Sequence, residues 1–276
     1  MYNRYNNKEL KILSATGRYK FISYSQLMKL GVERHKSNLS KLVGGLIKSR
    51  TPLLREIPHR PGYEKKFYLT KKGKEVLMEL IGVSEDKIQF PKGIITTSSK
   101  DQKHRTWTIN FQIELDLACK SEGIKILFAH RYFDTTGNTR DRNLKSKTAV
   151  FYEENKTIKA DMVFMLQVTE NQQELFLYEL ENGRDSGKSI DKMIEHGKAI
   201  LMGHTNEKYN FHSGYRTLWV FEHEGTLKAV LKRLNDNRFF ANMKEYFLLK
   251  AQEDIGVDFF GGWRNLDGEE RKMYYL

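Results

Sequence analysis

The sequence predicts a mixed α/β protein in two parts, and three observations carry that expectation. Charge is divided unevenly: residues 1–100 hold 21 Lys and Arg against 8 Asp and Glu, a net of +13, while the remainder holds 26 against 27. The apolar spacing of the first part is mainly helical, and that of the second alternates between strand and helix, the pattern of an α/β sheet covered on both faces. A hydrophobic content of 39% with 16 Phe, 14 Tyr and only four Pro supplies a core and excludes a mainly disordered chain.

The elements follow in order. NNKELKILSAT is a helix, SYSQLMKL begins with a Ser N-cap and makes a second, and VERHKSNLSKLVGGLIKS makes a third with Leu39, Leu42, Val43 and Leu46 on one face. The period then changes. TPLLREI and KKFYLT are strands joined by the turn residues of PHRPGYE, and KKGKEVLMELI returns to helix. Three helices, a hairpin and a closing helix over residues 1–82 match a winged helix-turn-helix, in which the third helix enters the DNA major groove and the hairpin tip meets the backbone or minor groove. Its candidate DNA contacts are Arg34, Lys36, Asn38 and Lys41 at the third helix, and His59, Arg60, Lys65 and Lys66 at the wing. A folded segment this basic attracts polyanions, so double-stranded DNA is the expected partner.

Residues 83–103 lose periodicity and gather Ser, Thr, Pro and Lys, as a linker does. Residues 104–276 form the second domain. HRTWTINFQIELDLACKSEG is a helix ending at Gly123, IKILFAHRYF a strand, and the polar run from Asp134 to Lys147 a mobile loop. KADMVFMLQV and QELFLYELE are two strands around the turn TENQ, followed by the helix SGKSIDKMIEHGKAILMG, the strand YRTLWVFEH and the helix EGTLKAVLKRLND.

The chemistry concentrates in that strand pair. If the two strands pair as an antiparallel hairpin with its turn near Asn171, Asp161 faces Glu181, and the alternation of side chains puts Asp161, Glu179 and Glu181 on one face. Like charges side by side destabilise a sheet unless something neutralises them. A divalent cation, Mg²⁺ or Mn²⁺, would do so, with carboxylates and phosphate oxygens as ligands. Lys188, Lys192 and His196 form one stripe of the next helix, within reach of developing phosphate charge.

With KADMVFML, LYELENG and KSIDKMIEHG in view, the chain resembles the replication-relaxation family, which includes the MOBC-type plasmid mobilisation relaxases, over roughly residues 5–235. The resemblance implies a winged helix followed by a restriction-endonuclease-like PD-(D/E)xK domain, with Asp161 and Glu179 as its acids. It implies a metal-dependent endonuclease, a nickase or relaxase, acting on a plasmid origin of transfer or replication alongside coupling or accessory mobilisation proteins. Glu181 stands where the motif expects Lys, which makes Glu181 a ligand or base and Lys192, or else Lys188, the source of the lysine. Ala160 replaces the usual Pro, and His196 replaces a Tyr. Glu114, on the His-led helix, is a further candidate acid. Two other classes compete: a non-catalytic regulator of plasmid replication or transcription with a degenerate nuclease-like domain, and a restriction endonuclease.

Other chemistries lack their residues. None of His130, His196, His204, His212 and His223 makes the His-apolar-His pair of tyrosine relaxases, although Tyr274 and Tyr275 are present, and NGRDSGKS lacks the first Gly of a phosphate-binding loop. Cys119 is the only cysteine, which excludes an intrachain disulfide and a zinc framework. Without a signal-type apolar core or about 18 consecutive apolar residues, a cytoplasmic location and no membrane segment are expected.

Overall fold

The computed structural model describes residues 5–58, 62, 64–91, 99–137, 144–235 and 237–275, which divide into two compact units, residues 1–113 and 114–276. The molecule is mixed α/β. No helix among the described residues is long and apolar enough to cross a membrane.

The first unit begins with α1 (Asn7–Tyr19), β1 (Ile22–Ser23), α2 (Tyr24–Lys29) and α3 (Lys36–Lys48). Asn6 and Glu9 close a reciprocal capping box on α1, and Ser23 with Gln26 does the same on α2, so both starts are written in local side chains. In α3, Leu39, Val43 and Leu46 are buried at helical spacing. β2 (Leu54–Glu56) and β3 (Lys66–Leu69) pair antiparallel, and the two residues of β1 join β3 on its other side, so the expected hairpin is a three-stranded sheet. α4 (Lys71–Ile81) follows directly, its N-cap Thr70 accepting from the Gly73 amide. Gly73 lies against the Leu53 carbonyl so closely that a Cβ there would come within 2.2 Å of the oxygen.

The region expected as a linker is ordered where it is described. Ile88 is 6% exposed, and the Gln89 amide donates to the Gly17 carbonyl at 2.7 Å. The next helix, α5 (Ser99–Glu122), contributes residues to both units and ends before Gly123, which adopts φ +72°. In the first unit, Gln26 donates to Asn110 Oδ1 at 2.8 Å, and Lys66 Nζ donates to the Gln102 carbonyl at 2.8 Å.

The second unit is built on a seven-stranded sheet. After β4 (Lys125–Arg131) come β5 (Thr135–Thr136), β6 (Lys145–Ser146), β7 (Ala149–Glu153), β8 (Lys156–Lys159), β9 (Met162–Thr169) and β10 (Gln172–Glu181). Then follow α6 (Ser186–Met202), α7 (His204–Tyr209), β11 (Arg216–Phe221), α8 (Glu224–Leu234), β12 (Phe247–Ala251), β13 (Trp263–Arg264) and β14 (Glu270–Arg271). The order is β14-β13-β12-β11-β10-β9-β4, with β10, β11 and β12 parallel and the other neighbours antiparallel. Met193 of α6 and Leu227 and Val230 of α8 meet Trp219, Phe221 and Leu249 of the sheet in one apolar cluster. Val150, Tyr152 and Ile158 of the β7–β8 hairpin meet Val163, Met165, Leu175 and Leu177 in another.

Two expectations are corrected here. The stretch from Asp134 to Lys147 is anchored at both ends: Asp134 is buried against Arg131, Nε to Oδ2 2.9 Å, and β5 pairs with β6. Residues 138–143 lie outside the described residues. The β9–β10 register also differs. Gln173 pairs with Gln167 and Tyr178 with Met162, after an irregularity between Gln172 and Gln173. That register brings Asp161 level with Glu179 rather than Glu181. Because the displacement is even, the side-chain face is preserved.

Candidate functional site

The far end of β10 is where charge enters the core. Leu175, Leu177 and Glu179 follow one another on one face, and Glu179 lies opposite Trp219 of the parallel neighbour β11. Its carboxylate is fully buried, with Lys192 Nζ at 2.8 Å from one oxygen and His196 Nε2 at 2.7 Å from the other. These contacts lack the alignment of hydrogen bonds, and Nδ1 of His196 is buried without a hydrogen-bond partner among the described residues. The imidazole is 2% exposed and stands edge-on to Trp219 at 5.2 Å between centroids.

Glu181, one turn of the pleat further, is 14% exposed. It accepts from Ser189 Oγ at 2.9 Å and from Lys192 Nζ at 3.1 Å. Asp161 is 6% exposed and accepts from the Leu180 amide at 2.8 Å, while its own carbonyl receives the Tyr132 amide. α6 supplies the cations because Asp185 caps its first turn, accepting from the Gly187 and Lys188 amides, and spaces Ser189, Lys192 and His196 at three and four residues along one stripe.

Electrostatics follow from this packing. Burial alone would raise the Glu179 pKa, but Lys192 and His196 outweigh burial and hold it below its ordinary 4.5. For Lys192, burial works against the ammonium, and the surrounding carboxylates of Glu179, Asp161 and Glu181 overcome it, so its pKa is raised. Glu179 and Lys192 therefore stand as an ion pair at neutral pH, with Lys192 as the member of the cluster most open to solvent, its side chain 40% exposed.

The sequence-predicted site divides cleanly. Asp161, Glu179, Glu181, Lys192 and His196 come together. Lys188 is exposed, and Glu114 sits beside Gly256 instead. Ser189, which sequence reasoning missed, is signalled only by its place three residues before Lys192. Both Glu179 oxygens face basic side chains, and among the described residues no group of three His, Cys, Asp or Glu side chains is placed to hold a metal ion.

In the first unit, Arg34, Lys36, Asn38 and Lys41 are all exposed around the start of α3. Glu33 shapes that start by accepting from the Arg34 and His35 amides at 2.8 and 3.2 Å. Lys8 and those amides hold its carboxyl down at about 2. Lys65 is 48% exposed and pairs with Glu56 at 3.1 Å. Lys66 is buried, its ammonium spent on the Gln102 carbonyl, which removes it from a solvent-facing wing. His59 and Arg60 lie outside the described residues. Compared with known family models, with curated proteins and with solved structures, the chain has no match.

Proposed function

We propose that the chain is a DNA-binding regulator of plasmid-type replication or transfer, with a degenerate PD-(D/E)xK-like second domain whose acids serve the fold. The observation that carries this reading is the Glu179 carboxylate, buried between Lys192 and His196. The α1–α4 helices around the β1-β3-β2 sheet support a winged-helix interpretation of residues 1–82, and the exposed Arg34, Lys36, Asn38 and Lys41 support duplex binding there.

A second reading, a metal-dependent nickase, has one specific observation in its favour. Asp161, Glu179, Glu181 and Lys192 converge, and they are the residues the nuclease resemblance implies. One experiment separates the two. Purified protein is incubated with supercoiled plasmid carrying its own replicon, with and without Mg²⁺ or Mn²⁺, and duplex binding is followed by gel shift. The regulator binds the duplex and leaves the plasmid supercoiled in either metal. Its binding weakens in the Arg34→Ala/Lys36→Ala/Lys41→Ala variant, with the slope of log K against log salt falling by about 0.9 for each lost phosphate contact. Open circles that require metal and vanish in Asp161→Ala establish the nickase. Linear product points instead to a restriction endonuclease.

A further inference from the structure

A second basic feature lies in the second unit, apart from the acid cluster. A cavity of about 820 Å³ opens between β4, the β6–β7 segment and α7, lined by His130, Lys145, Lys147, Phe151, Lys208 and Tyr209 among others. Its walls combine two kinds of group. Phe128 stacks on His130 at 5.0 Å and 22° and on Tyr209 at 5.6 Å and 19°, making a three-ring ladder. Around it stand Lys145 and Lys147, with Lys208 bracing the wall by donating to the Lys147 and Ala149 carbonyls at 2.7 and 2.5 Å, against one lining acid, Glu207, which His204 engages at 3.1 Å.

Phe151 is a large aromatic side chain that the fold leaves in solvent. β7 alternates, with Val150 and Tyr152 buried in the core and Phe151 on the opposite side at 57% exposure. Lys145 holds its ammonium 5.5 Å from the Phe151 ring centroid. An exposed ring flanked by an ammonium contributes little to stability, yet it offers a flat apolar face beside a positive charge. His130 Nδ1 is buried without a partner among the described residues, which leaves a polar atom in the wall of the groove.

We propose that this groove binds single-stranded DNA, with unpaired bases stacking on Phe151 and on the rim of the His130–Phe128–Tyr209 ladder while Lys145 and Lys147 meet the phosphates. Rings can stack only on bases freed from pairing, and a cationic groove interleaved with aromatics suits a single strand of any sequence. Position adds to this. His130 pairs across from Val163, whose side chain shares a sheet face with Asp161, so the groove opens on the side of the sheet that carries the acid cluster. The proposal rests on the DNA-binding reading but uses residues distinct from Arg34, Lys36 and Lys41, and the two can fail separately.

The test is fluorescence anisotropy of the full chain with a labelled oligothymidylate of about 12 nucleotides and, in parallel, a labelled duplex. Phe151→Ala should weaken strand binding about tenfold, and Lys145→Ala/Lys147→Ala should lower the salt slope for the strand by about 1.4, with duplex affinity unchanged in both. Unchanged thermal melts, expected because Phe151 and Lys145 are exposed and Lys147 is half-buried, show that both variants fold. Strand binding that is absent in the wild-type protein, or equal in wild type and both variants, overturns the proposal. Strand binding that depends on Phe151 while the duplex fails to bind sustains it and removes the winged-helix reading instead.

Discussion

Replacing His196 by alanine should destabilise the second unit by about 3–5 kcal/mol, the usual cost of removing one partner from a buried charged group. The structure places this change at the severe end. Glu179 is wholly buried and His196 only 2% exposed, so no water reaches the vacated oxygen, and the edge contact to Trp219 at 5.2 Å is lost as well. At about 2–4 °C per kcal/mol for a unit of this size, the melting temperature should fall by roughly 6–20 °C. Lys192→Ala makes the contrast: that side chain is 40% exposed, water can replace its ammonium, and the expected loss is about 1–2 kcal/mol. Replacing both buried partners, Glu179→Leu with His196→Leu, should recover most of the loss, because the charge and its desolvation disappear together. Because the Glu179 pKa is depressed below 4.5, its contribution is complete above 4.5 and is lost as pH falls through the lower folded value. Thermal and urea unfolding at pH 7 and in acid measure all of this. A His196→Ala penalty below about 1 kcal/mol at pH 7 would refute the reasoning, since a buried carboxylate cannot lose a partner that cheaply.

Two further outcomes are expected. Gly73→Ala should destabilise the first unit by about 2–3 kcal/mol despite alanine's better helix propensity, because the new methyl meets the Leu53 carbonyl at 2.2 Å; a neutral or raised melting temperature would contradict the contact. Burial, with Lys147 and Lys208 nearby, lowers the His130 pKa from 6.5 to about 4, so the imidazole is neutral in the fold and protonates more readily in the unfolded chain. Its contribution is therefore intact above 6.5 and declines as pH falls toward 4, by up to about 3 kcal/mol, and urea midpoints for His130→Gln should show a flatter profile over that window.

Local signals made the first unit legible. Ser23 announced α2, the Leu39–Val43–Leu46 spacing announced α3, and the run KKGKEVLMELI announced α4, although its N-cap Thr70 read as the end of the preceding strand. The start of α3 moved from Val32 to Lys36 because Glu33 ties up the Arg34 and His35 amides, a turn that periodicity does not encode. In the second unit the strands β9 and β10 were visible as apolar runs, whereas β12 was not. Its Lys250 sits within the strand, and the ammonium reaches the Asp258 and Gly261 carbonyls from a buried stem, so the residue that breaks the apolar run is satisfied by the loop that follows β12. The two-residue β1 and the β7–β8 hairpin likewise depend on partners rather than on local pattern. The acid cluster was legible as a convergence, since face parity survives an even register error. Its internal pairing was not, because the rotation of α6 about its axis decides whether His196 reaches Glu179.

That rotation is what gives the cluster its character. Had α6 presented only Lys192 to the sheet, one Glu179 oxygen would have remained for another ligand; with His196 on the second oxygen, the carboxylate is enclosed by its own fold. Glu181 differs, being partly exposed and held by a hydroxyl and an ammonium near solvent. The two glutamates thus serve unequal ends: Glu179 fixes how α6 seats on β10, at the cost of burying charge, while Glu181 and Lys192 form the part of the cluster that solvent and ligands can reach. A protein built this way tolerates change at Glu181 with little loss of stability but not at His196, and a catalytic use of the site would require the reverse ranking for activity. Measuring stability and plasmid nicking across Glu181→Gln, Lys192→Ala and His196→Ala therefore distinguishes a charge network that serves the fold from one that serves a reaction.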